Sequence, residues 1–596
     1  MTAPPAPRRV GALTTLAVSG LAGYYVGSHG FPEWQVPVES AQVLAGVVRY
    51  PADNPFFIYH LKLWTVLHQV CAVFLAAGVS EIRLSIVLSG ISGMVSFQAL
   101  AMTVYAFSHS TWLSTLAAIV IFTSRAAEYG VRYPIFLLGT SHTYGTLGLS
   151  LLVLVAALLG CGRYRLGLFL LGLAPCVHPS LGIWLALIAG MSLAWDHDTL
   201  LMSALPRWKW FAAGVLVSVC SLTVHLWMRS DISAVDPAVA SRYLSAFTTL
   251  WDDHRQPMRL DNAGAALNGA GLLLGGLWLT VFRRSVSAAS AFVLRFVIVS
   301  AGVGFACIAI SHVPPEKLPA ALVVLMPTRV VNVDAMMFGA LVFGLIALYR
   351  NMTWARVLMV ALAAGLLLNH HGLLSARFER TPLLSLEPRL LVLEVMLVAA
   401  ALLVAGAAWT ERIWRDPSRA RTVPRGVRLA ADGALVAAVA TALVPGLLSR
   451  PASSRVPTVF RDRTNDGLFA TAARGTGMLL TAGDLHLMQL RTRRPVLIDG
   501  GGLDGLPYAL SGALQTERIL RDVYGLEFFH PPDQARGIGM IAPSVNRPVW
   551  EQYSTDRWRE IRRAYNVTQV LTYNDWSLRL PPVAQNANYL LYEIPE

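Results

Sequence analysis

The sequence predicts an α-helical bundle that crosses a membrane many times and ends in a smaller α/β domain. Of the 596 residues, 55% are hydrophobic and only 14% are charged, whereas a soluble domain carries about 25% charged residues. Near residue 450, long apolar segments give way to short apolar runs separated by amphipathic ones. We therefore expect a transmembrane helical domain over 1–450 and an α/β domain over 451–596.

Apolar segments of the first domain are long enough to cross a membrane, since a helix needs about 17 to 25 residues for this. The long segments are 10–28, 61–79, 84–106, 209–228, 263–282, 291–312, 333–349, 389–409 and 429–448. Shorter ones lie at 111–124, 145–160, 166–176, 180–195 and 355–369. We expect about 13 to 15 crossings. The segment 10–28 could also be a signal peptide, but no clean cleavage site follows it, and we favour an uncleaved span.

Arginines in the short loops orient the bundle, because cytoplasmic loops collect positive charge. The loop 411–428 is the most basic, with arginines at 412, 415, 419, 421, 425 and 428. This places the N-terminus in the cytoplasm, and it places the loops 29–60 and 229–261 and the domain 451–596 outside. The excess of arginine over lysine suggests a GC-rich bacterial genome, so we predict a bacterial inner membrane. We attribute the net charge of +13 to the arginines that orient the protein in the lipid bilayer. No nucleic-acid partner is expected.

The C-terminal segment alternates predicted strands with predicted helices. Strands are expected at 478–482, 495–499, 568–573 and 588–594, and helices at 484–492, 512–524 and 551–565. The run from Gly500 to Gly505 has the spacing GxGxxG, but Pro507 and Ser511 interrupt the helix that a dinucleotide site needs. We interpret this run as a tight turn. The five cysteines show no CxxC spacing, so a disulfide framework or a zinc site is not expected.

The first outer loop carries the candidate catalytic acids, Asp53 and Glu39. Asp53 lies between two prolines and is followed by several aromatic rings and His60. A carboxylate just above the membrane is placed to act as a base on a lipid-linked substrate. The alternative is that Asp53 caps the helix that follows it.

The region 125–185 is where we expect an internal cavity. Pro175 and Pro179 interrupt its apolar segments, and irregular backbone at membrane depth is stable only where protein or a water-filled cavity surrounds it. His142 and His178 lie in this region and would line the cavity, although a histidine at a helix end can also be purely structural.

Other polar side chains recur at the outer ends of helices. Arg329 would suit a phosphate or pyrophosphate, because its planar donors match such oxygens. His370 closes another span and is a further candidate for substrate binding. The sequence Asp252-Asp253-His254 in the second outer loop could hold a divalent cation, but an ordinary solvated loop explains it equally well.

This layout resembles the GT-C superfamily of polytopic membrane glycosyltransferases. The likeness lies in the long acidic first outer loop, the many helices and the outer α/β domain, including the segments 477–482, 491–499, 558–565 and Val570. The resemblance implies a polyprenyl-phosphate-linked sugar as donor. It also implies that an acid of the first outer loop, Asp53 or less strongly Glu39, acts as base or metal ligand. A divalent cation, Mg or Mn, is the cofactor that this would involve; the sequence identifies no definite metal ligands.

The function predicted from the sequence is therefore sugar transfer from a polyprenyl-phosphate donor to an envelope glycan, lipid or protein on the outer side. Two alternatives remain open. Broken helices with charged groups also suit a transporter or flippase of lipid-linked sugars. The C-terminal domain could instead bind an envelope partner in a non-catalytic assembly protein.

The variants Asp53→Asn and Asp53→Ala test the role of the loop acid. If Asp53 is the general base, both should lower glycan transfer by about 10²- to 10⁴-fold. Full activity of both variants in a transfer assay would remove Asp53 from the mechanism.

Overall fold

A computed structural model describes residues 9–29, 34–124, 144–195, 201–229, 235–252, 254–370, 388–414 and 459–596, with a few isolated residues between 426 and 434. It shows a helical bundle followed by a small sheet domain, so the predicted fold class is confirmed. The predicted span 429–448 and the domain boundary at 450 lie outside these residues, apart from the isolated ones. The division at 450 therefore stays a prediction.

The helices of the first domain follow the predicted apolar segments closely. In chain order they are α1 Arg9–His29, α2 Val36–Leu44, α3 Pro55–Lys62, α4 Val66–Ala76, α5 Glu81–Ser108, α6 Thr111–Thr123, α7 Tyr144–Gly160, α8 Tyr164–Val177, α9 Pro179–Trp195, α10 Met202–Ala204, α11 Trp208–Met228, α12 Pro237–Leu250, α13 Ala263–Thr280, α14 Ala288–Ser311, α15 Ala320–Val324, α16 Val331–Leu348, α17 Thr353–His370 and α18 Pro388–Trp414.

Within the described residues, seven helices are long and apolar enough to cross a membrane, and α3 with α4 would make an eighth as one bent span. The shorter apolar helices are α6, α7, α8, α9 and α17. Length and composition therefore establish a polytopic membrane protein. The expected total of about 13 to 15 crossings depends on the shorter helices and stays a prediction.

Small residues allow the helices of the bundle to pack at short distance. A Cβ atom on Gly23 of α1 would collide with the carbonyl oxygen of Gly93 in α5, and one on Gly214 of α11 would collide with the carbonyl oxygen of Phe169 in α8. Close contact between backbones is the packing that small residues make possible inside membranes. Both helix pairs thus depend on the absence of a side chain at one position.

The predicted span 61–79 is not straight, which corrects the sequence prediction. The chain bends by 104° between α3 and α4. Thr65 starts the second helix, and its hydroxyl oxygen accepts the Leu67 N–H at 3.3 Å and donates to the Val177 carbonyl at 2.9 Å. A threonine before an apolar run is a helix N-cap signal, so the break could have been found from the sequence.

The C-terminal domain is built on a four-stranded sheet of order β1-β2-β4-β3, with β1 Met478–Thr481, β2 Val567–Tyr573, β3 Pro582–Gln585 and β4 Tyr589–Glu593. The pair β1–β2 is parallel, and the other two pairs are antiparallel. The helices around it are α19 Val459–Asn465, α20 Gly467–Arg474, α21 Met488–Thr492, α22 Ala513–Ile519, α23 Pro543–Gln552 and α24 Thr555–Tyr565.

The structure differs from the expectations for this domain in four places. The segment 495–499 makes a single bridge, Leu479 to Val496, and is not a strand. The helix predicted over 551–565, with its start near Ser554 and Asp556, is observed at Thr555–Tyr565 with Ser554 as its N-cap, and residues 551 and 552 belong to the end of the preceding helix. The strand β3 was not predicted, since its side chains are largely exposed and lack an apolar run. The predicted helix 484–492 is shorter, Met488–Thr492.

A buried carboxylate joins the bundle to the C-terminal domain. Glu81, the first residue of α5, is 3% exposed. It accepts hydrogen bonds from Arg493 at 2.8 Å and Arg463 at 3.0 Å, both from the C-terminal domain. Gln42 of α2 donates to the same carboxylate at 2.9 Å. One acid therefore holds the first outer loop and the C-terminal domain together.

Further contacts extend this junction along the first outer loop. Gln489 donates to the Glu39 carbonyl at 2.8 Å and accepts a hydrogen bond from Tyr50 at 2.7 Å. Asn54 donates to the Leu497 carbonyl at 3.0 Å. The loop from α2 to α3 is thus fixed against the C-terminal domain at both of its ends.

Replacing the central acid should loosen this junction. Glu81→Gln removes the charge that pairs with both arginines, and hydrogen bonds to charged groups contribute about 1.5–3 kcal/mol. We expect a clear drop in the thermal unfolding temperature in detergent, followed by intrinsic fluorescence. Asp261→Asn is the matched control, because the ion pair of Asp261 with Arg259 is exposed and should not affect unfolding. An unchanged unfolding temperature in Glu81→Gln would contradict this account of the junction.

Candidate functional site

A cavity of about 390 Å³ lies between the bundle and the C-terminal domain. Its wall on the bundle side comes from the bend after α3, the start of α7, the break between α8 and α9, the end of α11 and the segment before α16. The C-terminal domain covers it with the segment 504–508. The lining residues are Tyr59, Lys62, Leu63, Trp64, Thr65, Tyr144, Val177, His178, Pro179, Ser180, Leu222, His225, Arg229, Val324, Leu325, Arg329, Asp504, Pro507 and Tyr508.

Three cations line this cavity: Lys62, Arg229 and Arg329. They come from three different segments of the bundle. The positive charge of Arg229 is close enough to repel the Lys62 ammonium group. The positive charge of Arg329 likewise disfavours the protonated form of His178. Like charges gathered in one place raise the free energy of the empty site. The arrangement is therefore suited to an anion that carries more than one negative charge.

Local structure explains why these side chains point to one place. Lys62 ends α3 just before the bend. His178 directly follows α8 as its C-cap, and its Nδ1 accepts the Leu181 N–H of α9 at 3.3 Å. An acceptor at Nδ1 means that the ring proton of the neutral imidazole is on Nε2. His178 can therefore serve as a hydrogen-bond donor at the cavity without being charged.

Apolar side chains form much of the remaining wall. They belong to Leu63, Trp64, Val177, Leu222, Val324 and Leu325. Together with the three cations, they make a cavity that is charged in one part and apolar in another. Such a cavity suits an amphipathic ligand with an anionic head group.

The C-terminal domain forms part of the cavity wall at the end of the glycine-rich turn 500–505. This run is a turn and opens no dinucleotide-binding helix, as expected. A Cβ atom on Gly505 would lie 2.7 Å from the ring of Tyr59, so only glycine allows the turn to rest on that ring. The contact brings Asp504 and Tyr508 over the cavity.

A second cavity of about 300 Å³ lies next to the first, between the end of α12 and the segment 310–328. Arg255 lines it and donates to the Tyr508 hydroxyl at 3.1 Å. Tyr508 in turn lies 3.5 Å from the sulfur of Met326, which also lines the second cavity. Arg255, Tyr508 and Met326 therefore separate the two spaces.

Two of the predicted site residues, Arg329 and His178, line the first cavity together. His60 is buried outside the lining, where its Nδ1 pairs with the Ser40 hydroxyl at 2.8 Å. His142 lies outside the described residues, and for His370 the structure describes the backbone at the end of α17 alone. The segment 144–185 does contribute to the cavity that we expected between 125 and 185.

Asp53 lies in an exposed turn and is not part of the cavity lining. It does not cap α3 either, because the neighbouring Asn54 accepts the N–H groups of Phe56 and Phe57 at 2.9 and 3.0 Å. The alternative interpretation of Asp53 as a helix cap is therefore wrong. Its catalytic role stays a prediction.

Glu39 is 4% exposed, and within the described part of the chain its Oε1 atom has no hydrogen-bond partner. Burial, together with repulsion by Asp499, raises the pKa of Glu39 well above the usual carboxyl range. Burial also raises the pKa of Asp499, which accepts the Gly501 N–H at 2.8 Å. Glu39 therefore lies in the loop–domain junction and not on the cavity wall.

No group of three or more His, Cys, Asp or Glu side chains suited to a metal ion occurs among the described residues. In the second outer loop, Asp252 is fully buried and pairs with Arg255 at 2.6 Å. Asp253 lies outside the described residues. The divalent cation expected from the resemblance stays a prediction.

Sequence reasoning missed Lys62, Arg229 and Asp504. Lys62 is one of three lysines in the chain, and a charge at the end of an apolar segment was a usable signal. Arg229 directly follows α11 and gave a similar signal. The residues next to Asp504 in the sequence do not indicate that it lines a cavity. Asp504 reaches the cavity because the C-terminal domain docks on α3.

The fold and the cavity define a polytopic membrane protein with a cationic, partly apolar site beneath an α/β domain. A scan against protein-family models finds no match, and a search of curated proteins finds none. Among solved structures, the chain is similar to ArnT from Cupriavidus metallidurans. For ArnT bound to undecaprenyl phosphate, the identity is 14%, the coverage 99% of both chains and the TM-score 0.41. For apo ArnT, the values are 13%, 98% and 0.44.

The buried Glu39 makes stability depend on pH. In the unfolded chain its carboxyl ionises near pH 4.5, whereas in the folded protein it holds its proton to higher pH. Stability should therefore fall as pH rises above 4.5 until Glu39 ionises in the fold, by up to about 1.4 kcal/mol per pH unit.

Glu39→Gln, which cannot ionise, should flatten this dependence and raise the unfolding temperature at pH 7 to 8. Thermal unfolding between pH 5 and pH 8 measures both effects. Glu316→Gln, on an exposed turn, is the control and should keep the native profile. A Glu39→Gln profile that follows the native one would contradict the assignment.

Proposed function

We propose that this protein is a membrane glycosyltransferase that takes a sugar from a polyprenyl-phosphate donor. The observation that supports this most directly is the gathering of Lys62, Arg229 and Arg329 in a cavity with apolar walls. A sugar linked to a polyprenyl phosphate has an anionic phosphodiester between a polar sugar and an apolar chain. The cavity offers a matching surface for each of these parts.

In this proposal the cations hold the phosphate and stabilise it as the sugar leaves. When the bond between the anomeric carbon and the phosphate oxygen breaks, a second negative charge develops on the phosphate. Positive groups already in place lower the free energy of that transition state most effectively. The Nε2–H of His178 adds a hydrogen-bond donor at the same wall.

The prenyl chain would lie against the apolar wall and extend into the lipid. Under the orientation derived from the arginine-rich loops, the cavity opens on the outer side of the inner membrane. The acceptor would then be an envelope glycan, lipid or protein. The neighbouring cavity, separated by Tyr508 and Met326, offers room for part of that acceptor.

The phosphate site can be tested by binding before the sugar is known. Lys62→Met and Arg329→Met should each weaken binding of undecaprenyl phosphate by about 10- to 100-fold, because hydrogen bonds to charged groups contribute about 1.5–3 kcal/mol. Binding to the full-length protein in nanodiscs can be followed by tryptophan fluorescence, since Trp64 lines the cavity.

Lys317→Met is the matched control, because Lys317 is exposed and lines neither cavity. Undecaprenol, which lacks the phosphate, serves as the second probe and should bind much more weakly. Equal affinity for both lipids, or unchanged affinity in both cavity variants, would overturn the assignment of the phosphate site.

Turnover is tested with undecaprenyl phosphates that carry glucose, mannose, galactose or arabinose, together with envelope extract as acceptor. Release of undecaprenyl phosphate that depends on the native protein supports the transferase. Movement of an intact donor across the membrane of proteoliposomes, without release, would favour a flippase.

A further inference from the structure

The cavity has one acid among the described residues that line it, Asp504, and this acid comes from the C-terminal domain. It faces a site that otherwise carries three cations and two histidines. Asp53, the acid predicted from the first outer loop, is exposed and outside the lining. Among the described residues, Asp504 is therefore the one carboxylate that a donor in this cavity would meet.

Short contacts on both sides hold the Asp504 turn in place. Gly505 N donates to the Gly501 carbonyl at 3.2 Å, which closes the turn on itself. On the bundle side, Gly505 rests on the ring of Tyr59. A carboxylate on such a turn has a defined position over the cavity.

A buried arginine lies behind this turn. Arg255 is attracted electrostatically by Asp504 and Tyr508, and it is fixed by Asp252 at 2.6 Å and by the Tyr508 hydroxyl at 3.1 Å. Arg255 itself lines the second cavity and not the first.

We infer that Asp504 is the general base of the transfer reaction, which rests on the proposed function. The acceptor hydroxyl oxygen forms a bond to the anomeric carbon while the bond from that carbon to the phosphate oxygen breaks. The hydroxyl proton passes to a carboxylate oxygen of Asp504. The electron pair of the broken bond leaves on the polyprenyl phosphate, whose charge is held by Lys62, Arg229 and Arg329.

This assignment gives the C-terminal domain a chemical role. The bundle supplies the groups that bind the leaving phosphate, and the domain supplies the group that activates the acceptor. The acceptor would react in the space between Asp504 and the cations, beside the wall formed by Tyr508.

The variants Asp504→Asn and Asp504→Glu separate catalysis from binding. Asp504→Asn should lower release of undecaprenyl phosphate from the sugar-carrying donors by about 10²- to 10⁴-fold. Its affinity for undecaprenyl phosphate should be equal to that of the native protein or higher, because a negative charge has been removed. Asp504→Glu should recover part of the turnover, which a purely structural role would not predict.

Asp533→Asn is the matched control within the same domain, because Asp533 is exposed. Asp53→Asn is measured in parallel, because a loss of turnover in that variant with full turnover in Asp504→Asn would identify Asp53 as the base. Should Asp504→Asn unfold at a lower temperature, Asp504→Ala with added formate supplies a second measurement. Formate should restore release in that variant and leave the native rate unchanged.

The outcomes distinguish the two levels of the proposal. If the native protein releases undecaprenyl phosphate and Asp504→Asn releases it at more than half the native rate, Asp504 is not the base and the proposed function stands. A loss of turnover in Asp53→Asn alone would likewise overturn the inference. If the native protein releases nothing from any donor, the proposed function fails and the inference fails with it.

Discussion

The pairing of Glu81 with Arg463 and Arg493 is the contact on which the rest of the arrangement depends. A carboxylate at the start of a membrane helix is costly to bury unless it is paired, and here both partners come from the C-terminal domain. The pairing fixes that domain over α2 and α3. Together with the Asn54–Leu497 hydrogen bond and the contact of Gly505 with Tyr59, it holds the segment 504–508 in position over the cavity.

The electrostatics of the cavity follow from the same docking. Covering Lys62, Arg229 and Arg329 with protein removes water, which strengthens every interaction between charges in that space. Their mutual repulsion grows, and so does the gain when an anion binds. With one carboxylate, Asp504, among three cations, the lining keeps an excess of positive charge.

Much of the fold could be predicted from the sequence because lipid imposes a strict length and polarity on each helix. The segments 84–106 and 333–349, for example, differ from the observed helices by a few residues at their ends. The 104° bend at residues 63–65 was missed because an apolar count over 61–79 ignores the capping role of Thr65. The segment 495–499 has the composition of a strand, yet it finds a single bridge to β1.

The candidate site could be predicted only in part, for a related reason. Arg329 and His178 were found because a polar group at the end of an apolar helix is visible locally. Asp53 is also a polar residue beside an apolar helix, but its side chain lies in an exposed turn. Its neighbour Asn54 caps the helix instead. Asp504 has no local signature at all, because its place is decided by a contact between Gly505 and Tyr59, which are far apart in the chain.

The docking of the C-terminal domain on the first outer loop also has a consequence for biogenesis. Asn54 and Leu497, which hydrogen-bond across the junction, are separated by 443 positions in the chain. The cover of the cavity is therefore synthesised last, after the helices that form its floor have entered the membrane. A chain that is still being made has the cations but not Asp504. The covered cavity can therefore form only once the C-terminal domain has been made and has docked on the first outer loop.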